Sequence, residues 1–201
     1  MLTNTFKFNC TIFLSLIAIV LFIINPTREQ KICMYAIFTS TIADLILMNY
    51  NNIPSIVFKN KHFYMGMAVF AITHILYICC FIKLVMVQNF IILDISTGLF
   101  LGVLVIITSI ILWIFLVNKK SKIFKIASFV YMIIINLDLM VIFVCADLYN
   151  TNLVYVAIGI TMFLISDMMI LIRETVYDTD IIRKAIWIFY PLGQMIIICS
   201  V

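Results

Sequence analysis

STGLFLGVLVIITSIILWIFLV, running from Ser96 to Val117, contains no charged residue. A helix needs about 20 largely apolar residues to cross a hydrocarbon core, so this stretch alone places the chain in a membrane. Runs of the same kind lie on both sides of it. Phe8–Asn25, Ile32–Tyr50 and Phe63–Ile82 precede it; Ile123–Cys145, Leu153–Ile172 and Ile181–Val201 follow. The expectation is an all-α polytopic helix bundle with seven transmembrane helices, one integral membrane domain over residues 1–201. Leu84–Ile95 is the ambiguous stretch, either a tilted extension of the fourth helix or an interfacial segment. The first run is too long for a signal-peptide core and is followed by Asn25-Pro26-Thr27-Arg28 instead of a small-residue cleavage site. It reads as a retained span.

Composition leads to the same class. Of 201 residues, 66% are hydrophobic and 11% charged, against about 45–50% and about 25% in soluble domains. A soluble domain of this size cannot hide that much apolar surface. This excludes a secreted disulfide scaffold, a nucleic-acid module and a soluble enzyme. Cys10, Cys33, Cys79, Cys80, Cys145 and Cys199 lie in or beside apolar runs without CxxC spacing, and read as small membrane-buried hydrophobes. Heavy use of Ile, Asn and Lys, with 5 Gly and 3 Pro, points to an AT-rich bacterial genome and hence a bacterial cytoplasmic membrane.

The cations set the expected orientation. With seven spans, Lys7, Lys59, Lys61, Lys119, Lys120, Lys122, Lys125, Arg173, Arg183 and Lys184 fall on one side, and Arg28, Lys31 and Lys83 on the other. The positive-inside rule puts the larger group in the cytoplasm, N-terminus in and C-terminus out. Asp94, Asp147 and the charges of 173–184 read as solvated.

Ionisable side chains inside hydrocarbon cost at least about 2.5–3.5 kcal/mol and persist there for function or with a partner. Asp44, His74, Asp138 and Asp167 are such residues. Given the direction of each span, Asp44 and Asp167 fall in the inner halves, while His74, Asp138, Tyr190 and Gln194 fall near the middle. A pocket opening toward the cytoplasmic leaflet lets them meet. Helical spacing puts Ser40 with Asp44 on one face, and Tyr190 with Gln194 on another. Gly66, Phe70, His74 and Tyr77 form a stripe on which the glycine admits a neighbouring helix. Tyr131 and Asp138 also share a face. The plainer reading of each is structural: an aspartate accepting hydrogen bonds from a nearby Ser or Tyr, or a satisfied packing histidine.

No metal site and no cofactor are expected. His62 and His74 are about 18 Å apart along one helix at 1.5 Å per residue, so they cannot share an ion. No GxSxG elbow occurs, and no cysteine has an adjacent histidine. Acid–base chemistry by carboxyl groups remains.

The chain resembles the YhhN family of integral membrane proteins, whose characterised members are lysoplasmalogenases. Ser40-Thr41-Ile42-Ala43-Asp44 is similar to the family's Ser-x-x-Gly-Asp, and Gly66-x-x-x-Phe70-x-x-x-His74-x-x-Tyr77 to its Gly-Leu-x-x-Phe-x-x-x-His-x-x-Tyr. Gly159-x-x-x-Phe163-x-x-Ser166-Asp167 and Tyr190-x-x-x-Gln194 resemble two further motifs in the same order. Departures accompany the likeness. Lys7-Phe8 stands where relatives open their second of eight helices with Lys-Pro, so the expectation is a bundle lacking the family's first helix; Ala43 replaces a glycine, and Pro191 replaces a tyrosine and should kink its helix. Asp138 stands where relatives tend to be apolar.

The resemblance implies hydrolysis of the vinyl ether of a lysoplasmalogen to a fatty aldehyde and a glycerophospho-alcohol. Such an ether is broken by protonating its β-carbon, which requires an acid still protonated at neutral pH; a carboxyl group out of water favours its neutral form. Asp44 and Asp167 are the expected acid–base pair, in unassigned order, with His74 as proton relay or water orienter. Tyr77, Tyr190 and Gln194 are expected to hold substrate or water, and Ser40, Tyr131, Asp138 and Ser166 to complete the pocket. The expected partners are a lysophospholipid entering from the bilayer and the surrounding membrane lipids, with no nucleic acid. The alternative is a small-molecule or proton-coupled carrier using the same Asp and His residues; a receptor-like bundle would call for longer loops.

Overall fold

The computed structural model describes residues 4–50, 56–86, 96–149 and 151–201. They form α1 (Asn4–Ile24), α2 (Arg28–Tyr50), α3 (Ile56–Met86), α4 (Ser96–Val117), α5 (Lys122–Tyr149), α6 (Thr151–Thr175) and α7 (Asp180–Ser200). All seven are long and apolar enough to cross a membrane, and no strand occurs among the described residues. Leu84–Met86 complete α3 instead of opening α4. The rest of the ambiguous stretch, with Asp94, lies outside the described residues, as does the side chain of Asp147.

Short polar residues start the helices. Thr27 Oγ1 accepts from the Gln30 amide at 3.1 Å, Ser121 Oγ from Phe124 at 3.3 Å, and Thr179 Oγ1 from Ile182 at 3.3 Å. Each satisfies an amide that the first helical turn leaves without a partner. Pro26 and the Lys119–Lys120 pair lie in the turns just before α2 and α5. α7 stays helical on both sides of Pro191. The imide nitrogen leaves the Trp187 carbonyl without its intrahelical donor, at the turn that carries Tyr190.

Neighbour relations define a ring: α1 packs on α2, α2 on α3, α3 on α5, α5 on α6, α6 on α7, and α7 back on α1. α4 stands outside it against α5 and α6, which fits its nearly unbroken apolar surface. Glycines set the closest crossings. A Cβ at Gly193 would lie 2.7 Å from the Gly159 carbonyl oxygen, and one at Gly159 2.8 Å from that of Gly193. Thus α6 and α7 touch backbone to backbone. A Cβ at Gly66 would meet only the Leu47 side chain, at 2.6 Å. Hydroxyls stitch other pairs, Ser15 to Thr41 between α1 and α2, and Thr39 to Thr73 between α2 and α3.

Candidate active site

The ring encloses two hydrogen-bonded chains of side chains, each ending on a carboxyl group. The first joins α2, α7 and α3. Tyr77 Oη donates to Gln194 Oε1 at 2.5 Å, and Gln194 Nε2 donates to Ser40 Oγ at 3.1 Å. Ser40 Oγ lies 2.5 Å from Tyr190 Oη, which donates to Asp44 Oδ2 at 2.6 Å. The single hydroxyl hydrogen of Tyr190 goes to the carboxyl group, so Ser40 donates to Tyr190. Helical spacing produces this: Ser40 and Asp44 share one face, Tyr190 and Gln194 another, and the two faces meet. Gly193 is buried beside Gln194 and lets α7 approach closely enough on the α6 side.

The second chain joins α5, α3 and α6. His74 Nδ1 lies 2.8 Å from Asp138 Oδ2, both side chains with no exposure. His74 Nε2 faces Tyr131 Oη at 3.5 Å, the outer limit of a hydrogen bond, and Tyr131 Oη donates to Asp167 Oδ2. Asp138 Oδ1 has no hydrogen-bond partner among the described residues. Phe163 separates the chains, its ring edge-on to His74 at 4.6 Å and to Tyr190 at 5.2 Å. Among the described residues no hydrogen bond joins one chain to the other.

Two clefts reach these chains. One is apolar, lined by Phe63, Met67, Phe124, Met132, Leu164 and Leu171, with Tyr131 and Asp167 at its polar end. The other is a charged mouth holding Lys7, Asp44, Ser166, Arg173, Trp187 and Tyr190. Asp167 is half-buried and lines both, as do Leu47, Phe63 and Phe70. Each site carboxyl group accepts a tyrosine hydroxyl on Oδ2; among the described residues neither Asp44 Oδ1 nor Asp167 Oδ1 receives a hydrogen bond. Those free oxygens are the ones able to exchange a proton with a bound molecule. Among the described residues no three His, Cys, Asp or Glu side chains converge as metal ligands.

The structure therefore joins Ser40, Asp44, Tyr77, Tyr190 and Gln194 in one chain, and His74, Tyr131, Asp138 and Asp167 in the other. Ser166 lines the mouth, but its hydroxyl is directed to the Ile186 carbonyl at 3.5 Å. The charges of 173–184 are not uniformly solvated, as the sequence reading had them. Arg173 is helical, lines the mouth and holds Glu174, and Arg183 pairs with Asp178. The sequence marks Lys7 as an orienting charge and Arg173 as an orienting, solvated one, and not as lining a cleft. The signal that identifies them is helix length: α1 begins at Asn4 and α6 continues to Thr175, which brings both cations into helical turns beside the cleft.

Fold and site together define a polytopic membrane helix bundle with two buried carboxyl systems converging on one cleft. Residues 4–201 match the model of the YhhN family, and the chain belongs to that family. No curated protein and no solved structure matches it.

Proposed function

We propose that this protein is a membrane hydrolase that cleaves the vinyl ether of lysoplasmalogens, giving a fatty aldehyde and a glycerophospho-alcohol. One observation carries the reading: the half-buried carboxyl group of Asp167 lies where the apolar cleft meets the charged mouth that holds Asp44. A single-chain ether lipid has the same division, an apolar tail joined to a charged head, with the vinyl ether at the join. The lipid enters from the bilayer, and the N-terminus lies on the cytoplasmic side of a bacterial membrane.

In the proposed reaction one member of the pair, Asp44 or Asp167, is neutral and gives its proton to the β-carbon of the vinyl ether, whose π electrons form the new C–H bond. The oxocarbenium ion that results is held beside two carboxyl groups, where developing positive charge is stabilised. The other, ionised carboxyl group takes a proton from water as the water oxygen bonds to the cationic carbon, giving a hemiacetal. The hemiacetal C–O bond then breaks. The departing glycerol oxygen receives that proton, and the hemiacetal hydroxyl returns one to the group that protonated the ether, so both acids end as they began. Tyr131 and Tyr190 hold the Oδ2 atoms in place and leave each Oδ1 to react.

The test is aldehyde release from alkenyl-lysophosphoethanolamine and alkenyl-lysophosphocholine by the purified protein in detergent, without an ion gradient. Asp167→Asn and Asp44→Asn are each expected to lower kcat by about 100-fold or more while the thermal midpoint stays near that of the wild type. Release that survives in both would keep the hydrolase and remove this acid–base assignment. No release from either lipid by the wild type would favour the carrier, tested by gradient-dependent uptake in proteoliposomes.

A further inference from the structure

The charged mouth contains two cations that the acid–base chemistry does not use. Lys7 Nζ stands 5.4 Å from the centroid of the Trp187 ring, and no described carboxylate lies within ion-pair distance of it. A lysine near a membrane helix end ordinarily extends its ammonium outward to the interface. Lys7 instead lies across an aromatic face and lines the same cleft as Asp44 and Asp167. Arg173 lines that cleft from the last turn of α6, its side chain about a quarter exposed. Its Nε and Nη2 both donate to one oxygen of Glu174, at 3.1 and 2.7 Å. Nη1 donates to no described residue. Arg183 differs from Arg173 in two ways: it does not line the cleft, and its Nε and Nη2 donate to Asp178 while its Nη1 faces Asp180 at 3.9 Å.

We infer that Lys7 and Arg173 form a phosphate-binding cradle, and that its ligand is the phosphodiester of a single-chain lipid whose tail occupies the apolar cleft. This rests on the proposed function and names how the head of that substrate is held. Only the three-carbon glycerol bridge separates the ether oxygen of such a lipid from its phosphate ester. A cradle next to Asp44 and Asp167 therefore fixes the vinyl ether at the carboxyl groups. The chemistry of the pair suits a phosphodiester: a guanidinium presents directional donors and an ammonium a compact charge. Trp187, already under Lys7, limits the rotamers of the ammonium.

A saturated-ether lysophosphocholine, which no hydrolase can cleave at a vinyl group, measures binding separately from reaction. Its affinity for the full chain in nanodiscs is compared with that of the corresponding alkylglycerol, which has the same tail and no phosphate. The wild type is expected to prefer the phosphorylated lipid by about tenfold or more, and Lys7→Gln and Arg173→Gln each to shrink that preference by about tenfold. Lys7→Arg, which keeps the charge and folds with it, is expected to retain most of the preference. Equal binding of the two lipids by the wild type, or a preference unchanged in both Gln variants, would overturn the cradle. Inorganic phosphate that competes as well as the lipid would reassign it to a free anion and overturn the lipid assignment. Preference intact with no aldehyde release would keep the cradle and retire the hydrolase.

Discussion

His74 and Asp138 form a contact that is costly to break on one side only. Both are without solvent, 2.8 Å apart, in the interior of a membrane bundle. Removing one member strands the other among apolar atoms, which costs about 3–5 kcal/mol in buried pairs. Asp138→Leu and His74→Leu are each expected to lower the unfolding midpoint in detergent sharply. The double variant should lose less than the two losses added together; additive losses would show that the pair is uncoupled. Legibility was uneven at this scale. Asp44, His74, Asp138 and Asp167 are visible in the sequence because ionisable groups in hydrocarbon are expensive, whatever surrounds them. Their partners are not, since Tyr131 binding Asp167 and Tyr190 binding Asp44 depend on which helices are neighbours. Lys7 and Arg173 escaped for a different reason: a cation near a span end carries the same sequence signal whether it orients the protein or lines a cleft.

Among the helices, the tightest geometry is at α6 and α7. An added methyl at Gly159 or Gly193 meets backbone on the facing helix, which cannot rotate away. Gly193→Ala is expected to cost about 1–3 kcal/mol, read as a lower thermal midpoint. It should also disturb Phe163, whose amide nitrogen lies 3.2 Å from the built Cβ. Gly66→Ala meets only the Leu47 side chain and is expected to be the milder change in stability. Because Leu47 lines both clefts, the substitution is expected to act on lipid affinity instead. The seven spans were legible from hydrophobic run length alone, including α4 to the residue. Run ends were less so: α3 and α5 extend beyond the apolar windows because polar residues continue a helix once it has started. The place of α4 outside the ring has a faint counterpart in its lack of ionisable residues, but the order of helices around the ring has none.

For the molecule as a whole, the meeting of an apolar cleft and a charged mouth at Asp167 implies a sorting of products by phase. Under the proposed reaction the aldehyde is left in contact with the cleft and dissolves into lipid, whereas the glycerophospho-alcohol is left at the mouth and dissolves into water. Re-encounter of the two is then governed by the volume of each phase, not by their total amounts. Aldehyde should inhibit strongly in small detergent micelles, where it stays near the protein, and weakly in liposomes, where excess lipid dilutes it. Progress curves in the two settings measure this directly, and equal inhibition in both would mean that the products leave together. The boundary between two solvents, drawn through one carboxyl group, then decides into which phase each product is released.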